Sequence, residues 1–149
     1  MKHMTPEVVQ EITTDAFFGG RKVALFAVPG AFTPACSQRH LPGFVEKAAD
    51  IKAKGVDEVA CVAVNDAFVL TAWGKDQKAE GKVHMLADGS GDLARALGLE
   101  LDLSKAGLGV RSKRYSMLVD NGVVKSLNVE AQPGQVEASS AEAMLKALA

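Results

Sequence analysis

Cysteine and aromatic residues are scarce in this sequence, and its charges almost cancel. Two cysteines among 149 residues are too few for the disulfide framework of a small secreted domain. We therefore expect a reducing compartment, the cytoplasm by default, with an organellar matrix as the alternative because a removed targeting segment leaves no trace. A formal net charge of −1 supplies no positive field, so we predict neither nucleic acid nor a membrane surface as a partner.

Long apolar runs are also absent. The longest, around residues 23–32, is interrupted by Pro29-Gly30 and is too short for a bilayer, which needs about 20 apolar residues. The opening MKHMTPEVVQ lacks the apolar core of a secretory signal. Residues 1–3 are either native or an addition before a natural start at Met4. The length predicts a single domain, 1–149, with residues 1–10 its least patterned part.

Buried strands alternate with helices along most of the chain. Short apolar runs predict strands at 22–28, 58–66 and 82–88, and helical spacing predicts helices at 34–54, 68–80, 90–98 and 140–148. Two β-rich runs flank Asn121-Gly122, the preferred pair for a two-residue hairpin turn. This order predicts an α/β protein with a thioredoxin-like fold: a mixed central sheet with helices on both faces.

Three local features refine this prediction. Pro42 lies inside the 34–54 helix and is expected to kink it, because proline removes a backbone donor. Ser139-x-x-Glu142 is a capping box that would introduce the last helix. Residues 99–113, with two glycines and a basic end, are the least regular segment.

The placement of one cysteine carries most of the functional information. In VPGAFTPACSQRH, Thr33 is a good N-cap and Pro34 suits the first helical position, so Cys36 falls in the first helical turn. There its sulfur faces unpaired N–H groups and the positive end of the helix dipole, an environment that favours a reactive thiolate. The strand end that precedes it is the usual place for a site in an α/β sheet.

The alternative is that Cys36 is a small apolar filler, which is common for a lone cysteine. Without the Thr33-Pro34 context that interpretation would be preferred, and with it the nucleophile is favoured. No pair of cysteine and histidine residues has metal-ligand spacing, so we predict no metal site.

The spacing Pro29-x-x-x-Thr33-x-x-Cys36 resembles the active-site motif of the peroxiredoxins. The longer strings VPGAFTPACSQRHLPGF, VNDAFVLTAWGK and KRYSMLVDNGVVKSLNVE resemble the type II, peroxiredoxin-five-like subfamily, and the likeness covers nearly the whole chain from about Glu11. The resemblance implies a thioredoxin fold. It also implies reduction of hydrogen peroxide and organic hydroperoxides without metal, haem, flavin or another cofactor.

The resemblance also implies roles for single residues. Cys36 would attack the peroxide, Thr33 would hydrogen-bond the sulfur and the peroxide, and Pro29 would shield the pocket from water. Arg114 would hold the thiolate and stabilise charge on the peroxide oxygens; taken alone, it would be interpreted as a solvated charge in the VRSKR run.

The resemblance and the spacing also suggest a pocket around these residues. Gly30 and Phe32 are expected to line it. His40, four residues after Cys36, is expected to be a pocket wall or a hydrogen-bond support, the alternative being a histidine on the helix surface.

The second cysteine is not expected to take part. Cys61 lies in the middle of the apolar run VACVAV, and the loop before the last helix lacks the resolving cysteine that some type II members carry there. We predict a one-cysteine mechanism, in which an external thiol reduces the Cys36 sulfenic acid. Glutathione with glutaredoxin is the first choice of reductant, and thioredoxin the second.

The subfamily also implies a homodimer built from loops on the active-site side. In this sequence those loops are 30–32, around Phe68, and 109–111. Two other functions stay open at this point. One is a thiol-disulfide oxidoreductase on the same fold, although C-x-x-C is absent; the other is a non-catalytic holdase or interaction module with an unreactive Cys36.

Overall fold

A seven-stranded mixed sheet organises the chain in a computed structural model that describes residues 1–4 and 9–148. The strands in this part of the chain are β1 (Lys2–Met4), β2 (Val9–Glu11), β3 (Lys22–Val28), β4 (Glu58–Ala63), β5 (His84–Ala87), β6 (Glu100–Leu103), β7 (Gly109–Ser112), β8 (Tyr115–Asp120) and β9 (Val123–Val129). The helices are α1 (Thr14–Phe18), α2 (Leu41–Ala53), α3 (Ala67–Asp76), α4 (Asp92–Leu97) and α5 (Ala141–Leu148).

The main sheet runs in the order β2-β1-β5-β4-β3-β8-β9, and β6 and β7 form a separate two-stranded ladder. β3, β4 and β5 are parallel, whereas β8 joins β3 antiparallel. The sheet is therefore mixed, as the order of elements predicts.

The central strand β3 separates two apolar cores. Its sequence KVALFAV alternates between the faces, as strand residues do. Ala24, Phe26 and Val28 pack with α2, α3 and α5, whereas the intervening residues pack with α1 and with Leu93 of α4. Helices thus cover both faces, and the carboxyl end of β3 opens onto the chain that carries Cys36.

The helix predicted over 34–54 is continuous but contains a π-turn at Cys36–His40. The N–H of Leu41 bonds to the carbonyl of Cys36, five residues earlier. Because Pro42 has no N–H, a regular α-helical bond to the carbonyl of Gln38 is impossible, and the widened turn falls where the ladder is interrupted. The irregularity expected at Pro42 therefore takes the form of a π-turn just before it.

Three other features differ from or extend the prediction. The segment 99–113, expected to be irregular, contains the β6–β7 hairpin. The sequence pattern also missed α1 (Thr14–Phe18). The predicted N-cap at Ser139 is wrong by one residue. The hydroxyl of Ser140 accepts from the N–H of Ala143, whereas the hydroxyl of Ser139 donates to the Glu130 carboxylate.

The hairpin turn between β8 and β9 is confirmed. Asp120 pairs with Val123 across a two-residue loop, in which Asn121 has a φ of 49° and Gly122 a φ of 78°. Such left-handed conformations are what a turn of this type requires. In the described part of the chain, no helix combines the length and the apolar character needed to cross a membrane.

Gly122→Ala should lower the free energy of unfolding by about 1 kcal/mol, because a Cβ disfavours the left-handed region. A Cβ at Gly122 would meet no atom within 4 Å, so the loss isolates the backbone conformation. Urea denaturation measures it. Gly134→Ala is the matched control, since its Cβ also meets nothing and its φ is not left-handed. Equal effects of the two substitutions would contradict the turn geometry.

Candidate active site

A tight turn carries the chain from the end of β3 into the helix that holds Cys36. The carbonyl of Gly30 accepts from the Thr33 hydroxyl at 2.7 Å and from its N–H at 3.4 Å. Asn65 Oδ1 accepts from the N–H of Ala31 at 2.9 Å, which ties the turn to the loop after β4. Phe32 takes a left-handed φ of 63°, a conformation that costs a bulky residue free energy and is typical of functional turns.

The guanidinium of Arg111 packs closely against Gly30. A Cβ on Gly30 would lie 2.8 Å from Nη1 of Arg111. The Arg111 guanidinium donates to the carbonyl of Pro29 at 3.2 Å and to the carbonyl of Leu108 at 2.8 Å. Sequence reasoning assigned 109–111 to an interface and missed this contact, because a single arginine in a basic run has no distinguishing local signal.

The helix begins at Pro34, as the Thr-Pro pattern predicts. Thr33 occupies the N-cap position, since its carbonyl accepts from the N–H of Ser37 at 2.9 Å. Its hydroxyl, however, donates to Gly30 and does not cap the first turn. Cys36 is the third helical residue, and its side chain is fully buried.

Arg114, at the start of the chain segment that enters β8, directs three N–H groups at three different partners. Its Nη2 donates to Sγ of Cys36 at 3.0 Å, its Nη1 to Nδ1 of His40 at 2.9 Å, and its Nε to the carbonyl of Pro133 at 2.9 Å. The residue is only 3% exposed, so it is not a solvated charge of the VRSKR run. A buried guanidinium with these partners is a fixed positive charge beside the sulfur.

His40 is held in a single tautomer by its two neighbours. Arginine can only donate, so Nδ1 must accept from Arg114, and the proton lies on Nε2. Nε2 donates to the carbonyl of Ser139 at 2.9 Å. In the π-turn, four residues nearly complete one turn, which brings His40 and Cys36 to the same guanidinium.

Burial and the Arg114 charge lower the pKa of His40 to about 3, although the Ser139 carbonyl and the charge of Glu130 oppose the shift. His40 is therefore neutral at physiological pH. Both ring nitrogens are already engaged, so the ring supports Arg114 and has no free lone pair with which to accept a proton.

A cleft of about 410 Å³ is lined by residues on both sides of Cys36 in the chain and by Arg114, but Cys36 itself is not part of the lining. Six of its lining residues are apolar or lack a side chain: Pro29, Pro34, Ala35, Leu108, Pro133 and Gly134. The others are Thr33, Gln38, Arg39 and Arg114. Arg114 thus faces the cleft and also touches the sulfur.

The predicted site residues fall into two groups. Cys36, Thr33, Arg114 and Pro29 come together around the sulfur and the cleft. The second group, predicted to line the pocket, lies outside the cleft lining. Gly30 packs against Arg111, Phe32 is 54% exposed at the turn, and His40 lies buried behind Arg114. Of the two roles expected for His40, the contacts fit hydrogen-bond support.

Cys61 has none of these partners. It lies in the middle of β4, paired with Phe26 of β3, and is fully buried in the same apolar core as Cys36. Burial raises the pKa of its thiol well above the usual value, and the nearby Cys36 adds to the rise. Neither cysteine is in a disulfide.

The chain is similar to known proteins over nearly all of its length. The redoxin family model matches residues 4–145. Peroxiredoxin-2E of Arabidopsis thaliana, named as chloroplastic, is 54% identical over 94% of this chain. The chain belongs to the peroxiredoxins, within the redoxin family. It spans 60% of the length of that plant peroxiredoxin.

Solved peroxiredoxin structures confirm the thioredoxin-like fold. Reduced Prx3 of Vibrio vulnificus, solved in complex with hydrogen peroxide, is 53% identical with a TM-score of 0.94, covering 99% of this chain and 92% of that one. Peroxiredoxin 5 of Alvinella pompejana is 37% identical with a TM-score of 0.85, covering 99% and 90%. The type II, peroxiredoxin-five-like resemblance is confirmed by these relatives.

The neutral His40 of this peroxiredoxin should make its stability depend on pH. Below pH 6.5 the unfolded chain takes up a proton at His40 and the folded chain does not, so stability falls as the pH falls towards 3. Between pH 7.5 and 5.5 this residue should remove about 1.4 kcal/mol of unfolding free energy. Urea denaturation at both pH values measures the change.

His40→Gln is the comparison, because an amide can accept from Arg114 and donate to Ser139 but does not titrate. Its loss of stability between the two pH values should be smaller than that of the unsubstituted protein. Parallel pH curves for the two proteins would show that His40 is not held neutral.

Proposed function

We propose that this peroxiredoxin is a thiol-dependent peroxidase that reduces hydrogen peroxide and organic hydroperoxides at Cys36. The observation that carries the proposal is the 3.0 Å hydrogen bond to the Cys36 sulfur from Arg114, which also lines a largely apolar cleft. A fixed positive charge favours the anionic sulfur, which is the nucleophilic form of cysteine.

In the first step the Cys36 sulfur attacks one oxygen of the peroxide. A sulfur–oxygen bond forms as the oxygen–oxygen bond breaks, and the leaving oxygen departs as water or an alcohol once it is protonated. Cys36 is left as a sulfenic acid, and no metal or organic cofactor takes part. Negative charge moves from sulfur to the leaving oxygen in this step, so fixed donors around both atoms lower the barrier.

Arg114 is the proposed source of that stabilisation. A guanidinium has five N–H groups, of which three bond to His40, Cys36 and Pro133, so two remain for peroxide oxygens in the cleft. The Thr33 hydroxyl, at the cleft wall, is proposed to bond the peroxide, and the Pro29 ring to limit the access of water.

Cleft size and character favour organic hydroperoxides as well as hydrogen peroxide. The volume of about 410 Å³ far exceeds what hydrogen peroxide needs, since one water molecule occupies only about 30 Å³ in the liquid. The apolar lining would contact the organic group of a larger substrate.

An external thiol is proposed to restore the enzyme. A first thiol attacks the sulfenic sulfur and releases water, and a second thiol releases the disulfide and returns Cys36 to the thiol. Glutathione with glutaredoxin is the preferred reductant and thioredoxin the alternative. The burial of Cys61 in mid-strand, with a raised pKa, supports a one-cysteine cycle.

Substitution of each cysteine tests the proposal. Cys36→Ser should abolish peroxide consumption, whereas Cys61→Ser should retain most of it when glutathione and glutaredoxin are supplied. Coupled oxidation of NADPH through glutathione reductase measures turnover with hydrogen peroxide and with an alkyl hydroperoxide.

Two outcomes would contradict this reading. Near-complete loss of turnover in Cys61→Ser, with Cys36 still oxidised once by peroxide, would show that Cys61 resolves the sulfenic acid. Reduction of insulin without peroxide turnover would instead favour a thiol-disulfide oxidoreductase. A Cys36 that alkylates with iodoacetamide only as fast as an unperturbed thiol would favour a holdase.

We also propose a homodimer through the active-site side. Phe32 is 54% exposed in the turn after β3, and Phe68 is 68% exposed in the first turn of α3. The hydrogen bond from Ala31 to Asn65 ties the first of these turns to the loop that precedes α3. Val110, on the β6–β7 hairpin that Arg111 ties to Pro29, is exposed nearby in the fold. Exposed aromatic residues are typical anchors of a protein–protein interface.

Phe32→Glu should shift the protein towards the monomer, because a carboxylate would be buried without a partner in the interface. Light scattering after size-exclusion chromatography measures the mass. Val123→Glu, equally exposed at 55% but next to the β8–β9 turn, where β8 pairs with the start of β3 and not with its Phe32 end, should leave the mass unchanged. A shift in both variants, or in neither, would contradict this interface.

We also propose a domain organisation and a cellular compartment for this chain. One domain spans 1–149, with a seven-stranded sheet running through its described part. The cytoplasm is the proposed compartment, and an organellar matrix is the alternative, favoured by the chloroplastic name of a relative.

A further inference from the structure

The carboxylate of Glu130 closes the loop that connects β9 to α5. Its Oε2 accepts from the hydroxyl of Ser139 at 2.5 Å, from the N–H of Ser139 at 2.7 Å and from the N–H of Glu137 at 2.9 Å. Glu130 is the first residue after β9, and its own N–H donates to the carbonyl of Arg114 at 2.9 Å. The Glu130 side chain therefore joins the first residue of the loop to its far end, and the Glu130 backbone joins the loop to Arg114.

A chain of hydrogen bonds connects the far end of this loop to the Cys36 sulfur. Ser139, fully buried, presents its carbonyl to Nε2 of His40. The opposite nitrogen of that ring accepts from Arg114, which donates in turn to Cys36. Glu130 touches none of the reacting atoms, but it holds the carbonyl that begins this chain.

The Ser139 carbonyl selects the tautomer on which the chain depends. If the carbonyl moved away, the Nε2–H of the buried ring would lose its acceptor, and a proton on Nδ1 would become competitive. That proton would point at an N–H of Arg114, so that two donors would face each other. The guanidinium would then have to turn away from His40, and its geometry towards Cys36 would change.

Charge strengthens the arrangement. Burial raises the pKa of Glu130, but the hydrogen bonds from Ser139, Glu137 and Ala138 outweigh it and lower the pKa overall. The carboxylate is thus ionised at neutral pH, and bonds to an ionised acceptor are stronger than those between neutral groups.

We propose that Glu130 is a positioning residue for the peroxidase reaction, acting through Ser139 and the His40 tautomer on Arg114. The inference rests on the roles proposed above for Cys36 and Arg114. The loop 130–139 thereby holds the guanidinium in place.

Glu130→Gln tests the inference, because the amide keeps the shape but loses the charge and one acceptor. The rate constant of peroxide reduction should fall about ten- to hundredfold, the scale expected for a small displacement of a catalytic group. Long-range proton–nitrogen NMR of the His40 ring should show a single Nε2–H tautomer in the unsubstituted protein and an admixture of Nδ1–H in the variant.

A matched control is available at Asp102. Its carboxylate also accepts from a serine hydroxyl and N–H, those of Ser104, but it is exposed and does not contact the active site. Asp102→Asn should change neither the peroxide rate nor the His40 signals. Ser139→Ala, which keeps the carbonyl but loses the hydroxyl bond, should change both readouts in the same direction as Glu130→Gln and by less.

An unchanged rate in Glu130→Gln, or a lower rate with unchanged His40 signals, would overturn the inference. If Glu130→Gln does not fold, Ser139→Ala decides by the same two readouts, and no change in either overturns it. The NMR readout needs no turnover, so it remains decisive even if Cys36→Ser were to stay active and the proposed function were to fail.

Discussion

The hydrogen bond from Arg114 to the Cys36 sulfur is the interaction on which the site depends. Both side chains are buried, so an uncompensated guanidinium there would be costly. Two further acceptors compensate the buried guanidinium: the carbonyl of Pro133 and the neutral Nδ1 of His40. The charge is therefore held at one place, beside the sulfur.

The fold brings these groups together from distant parts of the chain. β3 ends at the turn before Cys36, and β8 begins just after Arg114, and the two strands are antiparallel neighbours. The pairing of Ala27 with Tyr115 thus places the two chain segments side by side. His40, four residues after Cys36 in the same helix, reaches the same guanidinium.

The two cysteines show how the surroundings decide the chemistry of a thiol. Cys36 and Cys61 are both fully buried and belong to the same apolar core. Cys36 lies at a helix start with Arg114 at 3.0 Å, whereas Cys61 lies in a strand among apolar side chains, where burial raises its pKa. Burial alone therefore does not distinguish the two thiols, whereas their polar partners do.

The sequence by itself determined the strands β3, β4, β5, β8 and β9, the hairpin at Asn121-Gly122 and the position of Cys36 in a first helical turn, because these depend on local spacing and backbone preference. It also indicated Arg114, but only through a resemblance. The tertiary structure alone decided the packing of Arg111 on Gly30 and the partnership of Ser139 with Glu130, where local pattern had suggested a helix cap. Those contacts join residues far apart in the chain, and no local periodicity records which donors and acceptors a fold will bring within hydrogen-bond distance.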